Sequence, residues 1–315
     1  MSYEQFRGRS LLSWLDYSAE DINALLDLSK QVKAEAKRGE VKQRFLGKTI
    51  ALVFEKRSTR TRCAFETAFG EEGGHPVFLS TADIQLGAKE SVDDTARILG
   101  RMFSAIQFRG FSQDTVETLA RFSGVPVYNG LTDVYHPTQA LADIMTLEEN
   151  FGSGGINLCF VGNGRSNVAN SLMVICSKLG VNFTIVTPAS LVPGRELTER
   201  CAILSAASGA KLRISDKLDS VTDAHALYTD VWASMGEEDK KAERRALLSP
   251  YQVNSSLMKA SGRSDTIFLH CLPAIKGEEV SAEVIDGPQS RAWDQAENRK
   301  HTIKAIMLAT LGLAP

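Results

Sequence analysis

The stretch TIALVFEKRSTRTRCAFE, residues 49–66, joins an apolar run to the beginning of a helix. The run TIALVF at 49–54 is short, apolar and rich in branched side chains, as is typical of a strand buried in a parallel sheet. Ser58 is a good helix N-cap, and the residues after it fill a first helical turn. A strand that passes through a short loop into a helix begins a βαβ unit, so this stretch predicts an α/β protein.

The first turn of this predicted helix carries positive charge where a helix usually prefers acids. Its polar residues are Ser58, Thr59, Arg60, Thr61 and Arg62. Cations are unfavourable at a helix start unless an anion binds there, and hydroxyls, free backbone N–H groups and an arginine fork together match a phosphate. The stretch therefore predicts a phosphate site. The alternative interpretation is a solvated surface turn in which the arginines pair with Glu55 and Glu66.

The remainder of the chain alternates short branched runs with helical spacing, and it has no internal repeat. A first parallel sheet is predicted from strands at 49–54, 76–79, 105–109 and 125–128. A second parallel sheet is predicted from strands at 156–161, 183–186, 212–215, 226–229 and 267–270.

The Gly-rich stretch FGSGG at 151–155 ends the helix predicted over 137–149 and marks the expected domain boundary. We therefore predict an α/β fold of two Rossmann-like domains, residues 1–150 and 151–293, each a parallel sheet flanked by helices. The final segment, 294–315, carries a helix predicted over 294–311 and has no further strand to cross to. It is expected to pack back on the first domain.

Composition argues against several classes of protein. The 315 residues suffice for two domains, and 43% hydrophobic with 23% charged residues is ordinary for a folded soluble chain. The 36 basic and 38 acidic residues give a net charge of −2 without a dense Lys/Arg block, so no nucleic-acid partner is expected. The longest apolar stretches fall short of the ~20 residues that a membrane span needs, so no membrane partner is expected either.

Two features bear on the compartment. The stretch MSYEQFRGRS at 1–10 lacks the apolar core of a secretory signal and carries an acid early, which favours the cytoplasm. The five cysteines are widely spaced and form no CxxC pair. We therefore expect reduced thiols, with neither disulfides nor a zinc site.

Open parallel sheets bind ligands beyond the carboxyl ends of their strands, and unusual polar residues follow several of the predicted strands. Arg109 ends the third strand, and His136 lies beside Pro137, which suits the first position of a helix. A lone histidine more often makes a structural hydrogen bond than a ligand contact. With Ser58 and Arg60 at the same sheet edge, however, four donors would face one crevice, and that convergence favours an anion site.

The second half of the chain carries its own polar residues at strand ends. The loop VGNGRSN does not complete the GxGxxG fingerprint, so the motif evidence for a nicotinamide cofactor is weak. Asp230 and Cys271 follow two predicted strands, and a carboxylate beside a thiol suits an amine substrate. The alternative interpretations are a helix cap for Asp230 and a buried structural thiol for Cys271.

Five motifs occur in order over nearly the whole chain: FEKRSTRTR, HPTQ, DVWASMGE, FLHCLP and DQAENR. With these motifs the sequence closely resembles the ornithine carbamoyltransferases. STRTR and HPTQ resemble the wider aspartate/ornithine carbamoyltransferase superfamily, whereas the SMG and HCLP loops resemble the ornithine branch. The resemblance implies two substrates, carbamoyl phosphate and L-ornithine, and no metal or organic cofactor.

The resemblance also implies roles for individual residues. It implies carbamoyl phosphate binding by Ser58, Thr59, Arg60, Thr61, Gln85, Arg109, His136, Gln139, Cys271, Leu272 and Arg299. It implies ornithine binding by Asn167, Asp230, Ser234 and Met235. It implies catalytic roles for Arg60, Arg109, His136 and Cys271. Gln85 is expected to reach the neighbouring subunit of a homotrimer, so that the active sites are shared.

The implied reaction is attack of the neutral δ-amine of ornithine on the carbamoyl carbon, giving L-citrulline and phosphate, within arginine metabolism. Two positions depart from the family pattern, because Asn163 and Ser166 stand where Asp and Asn are usual, although Asn167 is kept. Three alternatives stay open. They are a carbamoyltransferase for a related amine such as putrescine, a Rossmann oxidoreductase, and a subunit that keeps the fold for assembly or regulation only.

Overall fold

The computed structural model describes residues 3–80, 84, 90–233 and 237–315. The chain divides into two compact units, unit 1 comprising Met1–Leu141 and Glu297–Pro315 and unit 2 comprising Ala142–Ala296. Each unit has its own parallel sheet with helices around it, so the predicted α/β fold is confirmed.

Unit 1 contains the strands β1 (Thr49–Phe54), β2 (His75–Ser80), β3 (Ala105–Arg109) and β4 (Val127–Leu131). They pair in the order β2-β1-β3-β4, all parallel. The helices are α1 (Ala19–Lys37), α2 (Thr59–Gly70), α3 (Val92–Met102), α4 (Gln113–Ser123) and the first part of α5 (Pro137–Phe151), with 3-10 helices at Glu4–Phe6 and Trp14–Asp16.

Side-chain caps and buried apolar faces explain these elements. Ser18 Oγ accepts a hydrogen bond from Asp21 N, and the Asp21 carboxylate accepts one from Ser18 N, so a capping box begins α1. Serine caps also begin α2, α3 and α4. The core between the sheet and the α3–α4 pair is formed by buried side chains that include Ala51, Val53, Ile106, Phe108, Val116 and Leu119.

The final segment of the chain packs on unit 1, as predicted. The Tyr128 hydroxyl of β4 lies 2.7 Å from Thr310 Oγ1. Lys33 Nζ of α1 donates to Asn298 Oδ1 at 2.6 Å. All four side chains are buried, so these polar contacts fix residues 297–315 against the first sheet and its helices.

Unit 2 contains the strands β5 (Asn157–Val161), β6 (Asn182–Val186), β7 (Leu212–Ser215), β8 (Ala226–Thr229) and β9 (Ile267–His270). They pair in the order β7-β6-β5-β8-β9, all parallel. The helices are α6 (Asn167–Leu179), α7 (Arg195–Ser208), α8 (Lys241–Leu248), α9 (Ser255–Ala260), α10 (Ala282–Ile285) and α11 (Ala292–Thr310), which continues into unit 1. Further 3-10 helices lie at Ala189–Leu191, Leu218–Val221, Glu238–Lys240 and Ser249–Tyr251.

The observed boundaries differ from the predicted ones in a few places. The fourth strand begins at Val127 and not at residue 125, because Pro126 has no N–H for the ladder. The division into compact units falls inside α5, between Leu141 and Ala142, and the Gly-rich stretch at 151–155 follows that helix. That residues 1–150 form a carbamoyl phosphate-binding domain and residues 151–293 an ornithine-binding domain stays a prediction. Within the described residues, no helix is long and apolar enough to cross a membrane.

Candidate active site

The start of α2 is the centre of the candidate anion site in unit 1. Ser58 caps the helix, its Oγ accepting from Thr61 N at 3.2 Å. Thr61 is fully buried, Thr59 is exposed, and Ser58 and Arg60 are half-buried. The strand β1 ends at Phe54 and delivers the chain to this helix start at the carboxyl edge of the sheet, where free N–H groups favour an anion.

Two arginines from different elements converge on one hydroxyl at this helix start. Arg109, the last residue of β3, donates from Nη1 to Thr61 Oγ1 at 3.2 Å. Arg299 of α11 donates from Nη2 to the same oxygen at 3.1 Å and is 2% exposed. Two guanidinium groups that donate to the same neutral hydroxyl repel each other, and an anion placed between them would relieve that repulsion.

His136 belongs to the same group of residues. It is buried directly before Pro137, the first residue of α5. Burial lowers the pKa of His136 well below its usual value, and the positive charges of Arg299, Arg109 and Arg60 lower it further. The histidine is therefore neutral at neutral pH and can donate one ring N–H to a carbonyl oxygen. Gln139 lies in the first turn of α5 and is also buried.

In unit 2, Asp230 and Cys271 lie side by side. They follow β8 and β9, whose register pairs Thr229 with His270, so the next residue of each strand falls at the same place on the sheet edge. Cys271 Sγ donates to Asp230 Oδ1 at 3.0 Å, and Val231 N donates to the same oxygen at 2.8 Å. Burial raises the pKa of Asp230, while the His270 ring and these two hydrogen bonds oppose that rise.

The loop that carries Cys271 is held by a buried histidine and a buried carboxylate. His270 Nδ1 accepts from Leu272 N at 2.8 Å, so the ring proton lies on Nε2, which faces Glu279 Oε1 at 3.2 Å. Glu279 Oε1 also accepts from Ile275 N at 2.6 Å. Leu272 has a φ of 59°, a left-handed conformation that is rare for a branched residue, and these hydrogen bonds offset its cost.

Asn167 is the first residue of α6 and is buried. Its neighbours Asn163 and Ser166 have structural partners. Ser166 caps α6, its Oγ accepting from Ala169 N at 3.1 Å. Asn163 Oδ1 accepts from Arg165 N at 3.1 Å, and its amide nitrogen lies 3.5 Å from Glu237 Oε2. Both departures from the family pattern therefore shape the β5–α6 loop.

Comparison with known families covers both units. Residues 9–149 match the carbamoyl-P binding domain of aspartate/ornithine carbamoyltransferase, and residues 154–310 match the Asp/Orn binding domain. The chain belongs to the aspartate/ornithine carbamoyltransferase family. The resemblance predicted from the five sequence motifs is thereby confirmed.

Individual relatives indicate which branch of this family the chain is similar to. An ornithine carbamoyltransferase of Caldanaerobacter subterraneus subsp. tengcongensis is 64% identical over 307 residues, which cover 97% of this chain and 98% of the relative. One of Thermotoga maritima is 61% identical over 307 residues, with the same coverage of 97% and 98%. The solved ornithine carbamoyltransferase of Pyrococcus furiosus matches with a TM-score of 0.94 at 44% identity, covering 98% of each chain.

Several residues that the family resemblance selected can now be located. Unit 1 brings together Ser58, Arg60, Thr61, Arg109, His136 and Arg299, and unit 2 brings together Asp230, Cys271 and Leu272. Gln85, Ser234 and Met235 lie outside the described residues. Glu279 was missed, because the stretch KGEEV has the composition of an exposed charged turn and gives no sign that one carboxylate is buried.

One cluster in unit 2 has side chains of the kinds that bind metal ions. Single donor atoms of Asp230, His270 and Cys271 lie within 4.8 Å of one another. His270 Nδ1 already accepts from Leu272 N, and Nε2 faces Glu279, so an ion could use this ring only by displacing one of these partners.

Proposed function

We propose that this protein transfers the carbamoyl group of carbamoyl phosphate to the δ-amine of L-ornithine, giving L-citrulline and phosphate. The observation that supports this substrate pair best is the Asp230–Cys271 contact at the ends of β8 and β9, in a chain 64% identical to an ornithine carbamoyltransferase over nearly its whole length. A carboxylate beside a thiol suits an amino acid with a second amine.

Unit 1 binds carbamoyl phosphate in this proposal. The phosphate lies at the start of α2, where Ser58, Thr59, Arg60 and Thr61 surround it and Arg109 and Arg299 supply positive charge. Neutral His136 donates to the carbonyl oxygen, with Gln139 beside it. Electrostatic stabilisation of the oxygen and of the leaving phosphate is the largest contribution to such a reaction.

Unit 2 binds ornithine, with Asp230 pairing with the α-ammonium group and Asn167, Ser234 and Met235 completing that subsite. Cys271 and Leu272 are proposed to contact the reacting groups of the two substrates. The neutral amine forms the new C–N bond, the C–O bond to phosphate breaks, and the amine loses one proton to the departing phosphate. No electrons are gained or lost, so the reaction as written needs no oxidant or reductant, and the resemblance to ornithine carbamoyltransferases is the reason to propose that neither a metal nor an organic cofactor takes part.

We also propose an oligomeric state, a metabolic role and a compartment for the enzyme. We infer that Gln85 reaches the carbamoyl phosphate of a neighbouring subunit in a homotrimer, so that the active sites are shared. Because citrulline is the product, we infer a role in arginine metabolism, including arginine biosynthesis. The five widely spaced cysteines support the cytoplasm as the compartment. Sedimentation equilibrium measures the subunit number, and a monomer that retains full activity would contradict the shared site.

The deciding experiment compares amine substrates. Purified protein is given carbamoyl phosphate with either ornithine or putrescine, and the carbamoylated amine and released phosphate are both measured. We expect citrulline to form with ornithine at least about 100-fold more efficiently, because Asp230 has no α-ammonium partner in putrescine. Preference for putrescine would support the alternative amine, and no product with either substrate would support a non-catalytic subunit.

A further inference from the structure

The outer edge of β9 forms hydrogen bonds with a loop and with one side chain. β9 is an edge strand, so its outward N–H and C=O groups need partners from outside the sheet. Phe268 N donates to Gln289 O and Phe268 O accepts from Arg291 N, each at 2.9 Å. The chain then turns into α11, and a side chain continues the pairing, because His270 N donates to Gln295 Oε1 at 3.0 Å.

The carboxamide of Gln295 is fixed on its other side as well. Its Nε2 donates to Asp143 Oδ1 at 2.5 Å and to the Tyr228 hydroxyl at 3.1 Å. Gln295, Asp143, Tyr228 and His270 are all 0% exposed. Rotation of the carboxamide would leave at least one of these buried polar groups without its partner, so Asp143 and Tyr228 fix the direction in which Oε1 points.

This network ends at the residue before the proposed catalytic thiol. The His270 backbone carries Cys271, and the His270 ring accepts from Leu272 N. A shift of the His270 peptide would therefore move Cys271 Sγ relative to the Asp230 oxygen to which it donates. We propose that Gln295 is a positioning residue for the reaction, holding the HCLP loop through His270 N while Asp143 orients its carboxamide. This inference rests on the proposed function of Cys271.

The first test removes the hydrogen bonds but keeps the volume. Gln295→Met is compared with Gln289→Met, which removes a 2.7 Å hydrogen bond to Thr266 O beside the other end of the same strand. We expect Gln295→Met to lower kcat for citrulline about 10- to 100-fold, because a misplaced reacting group costs that much. KM for carbamoyl phosphate should change much less than kcat, because the phosphate contacts proposed for unit 1 are kept although Cys271 and Leu272 shift. Gln289→Met should retain kcat within about twofold.

The second test reverses the hydrogen bond. Gln295→Glu alone places two carboxylates against each other, whereas Asp143→Asn together with Gln295→Glu lets the new amide donate to the new carboxylate at unchanged net charge. The glutamate can still accept from His270 N. We expect the double variant to recover kcat about 10-fold or more over Gln295→Glu, a non-additivity that general loosening of the fold would not produce.

A third measurement does not depend on activity. Iodoacetamide labelling of Cys271 is followed by peptide mass spectrometry, with exposed Cys63 of unit 1 as the internal reference. We expect Gln295→Met to raise the ratio of Cys271 to Cys63 labelling several-fold and Gln289→Met to leave it unchanged. An unchanged ratio with wild-type kcat in folded Gln295→Met, or a double variant no better than Gln295→Glu, would overturn the positioning role. Wild-type protein that forms no citrulline would instead refute the proposed function.

Discussion

His301 provides a quantitative test of how burial limits stability in acid. Its side chain lies on α11, is 3% exposed, and places Nε2 3.4 Å from Glu297 Oε1. Burial lowers the pKa of His301 from 6.5 to about 4. The hydrogen bond to Glu297 opposes this shift, and the charges of Lys300 and Lys33 add to it.

The sign of the pH effect follows from the direction of this shift. Between pH 6.5 and about 4 the unfolded chain binds a proton at residue 301 and the folded chain does not, so stability falls as the pH falls. Well above pH 6.5 neither state binds a proton at residue 301, so this loss of stability is absent there. At pH 5 the unfolded state gains a factor of about 30 in proton binding over the folded state, which corresponds to about 2 kcal/mol.

The measurement is urea unfolding at pH 8 and pH 5, at one fixed protein concentration, for wild type and His301→Gln. We expect the wild type to lose about 2 kcal/mol more than the variant between these pH values, because glutamine keeps a buried polar group that does not titrate. His75→Gln, at the exposed first residue of β2, is the matched control and should behave as the wild type. Equal losses in wild type and His301→Gln would refute the reasoning.

Three further predictions concern the proposed active site. Arg60→Ala should lower citrulline formation by at least about 100-fold, while the midpoint of thermal unfolding without ligand hardly changes. Activity near that of the wild type would contradict a catalytic role for Arg60. Asp230→Asn should mainly raise KM for ornithine, whereas Cys271→Ala should lower kcat and alter its pH profile, and an unaltered profile would return Cys271 to a structural role. Gln85 and Lys89 both belong to the sequence stretch TADIQLGAKES at 81–91. Mixed oligomers of Arg60→Ala and a Gln85→Ala, Lys89→Ala double variant should regain part of the activity on reassembly, and mixed oligomers that form on a native gel but stay inactive would exclude shared sites.

The two sheets could be predicted from the sequence because parallel strands are buried on both faces and therefore read as short apolar runs. β1 and β5 are of this kind. The end of β4 could not be predicted, because Gly130 has low strand propensity. The structure gives the reason for glycine there, since a Cβ would lie 2.5 Å from Gln107 Nε2 on the neighbouring strand. Such a contact depends on the sheet already being assembled.

The site was predictable to the extent that it follows strand ends. Asp230 and Cys271 could be placed together because the residues that directly follow two neighbouring parallel strands lie at the same edge of the sheet. Glu279 and Gln295 could not be found in this way. Their contacts with the HCLP loop depend on where a loop and a helix pack against the outer edge of β9, and no local periodicity encodes that packing.

Unit 1 is assembled from two pieces of chain, and this affects the order of events on the ribosome. Residues 297–315 belong to unit 1, yet they are synthesised only after all of unit 2. Until then Thr61 lacks Arg299 and Tyr128 lacks Thr310, so the first-made unit emerges with part of its interior uncovered. Unit 1 can therefore complete its folding only after residues 297–315 have been synthesised. A nonsense mutation upstream of residue 297 would leave unit 1, the unit made first, without this segment.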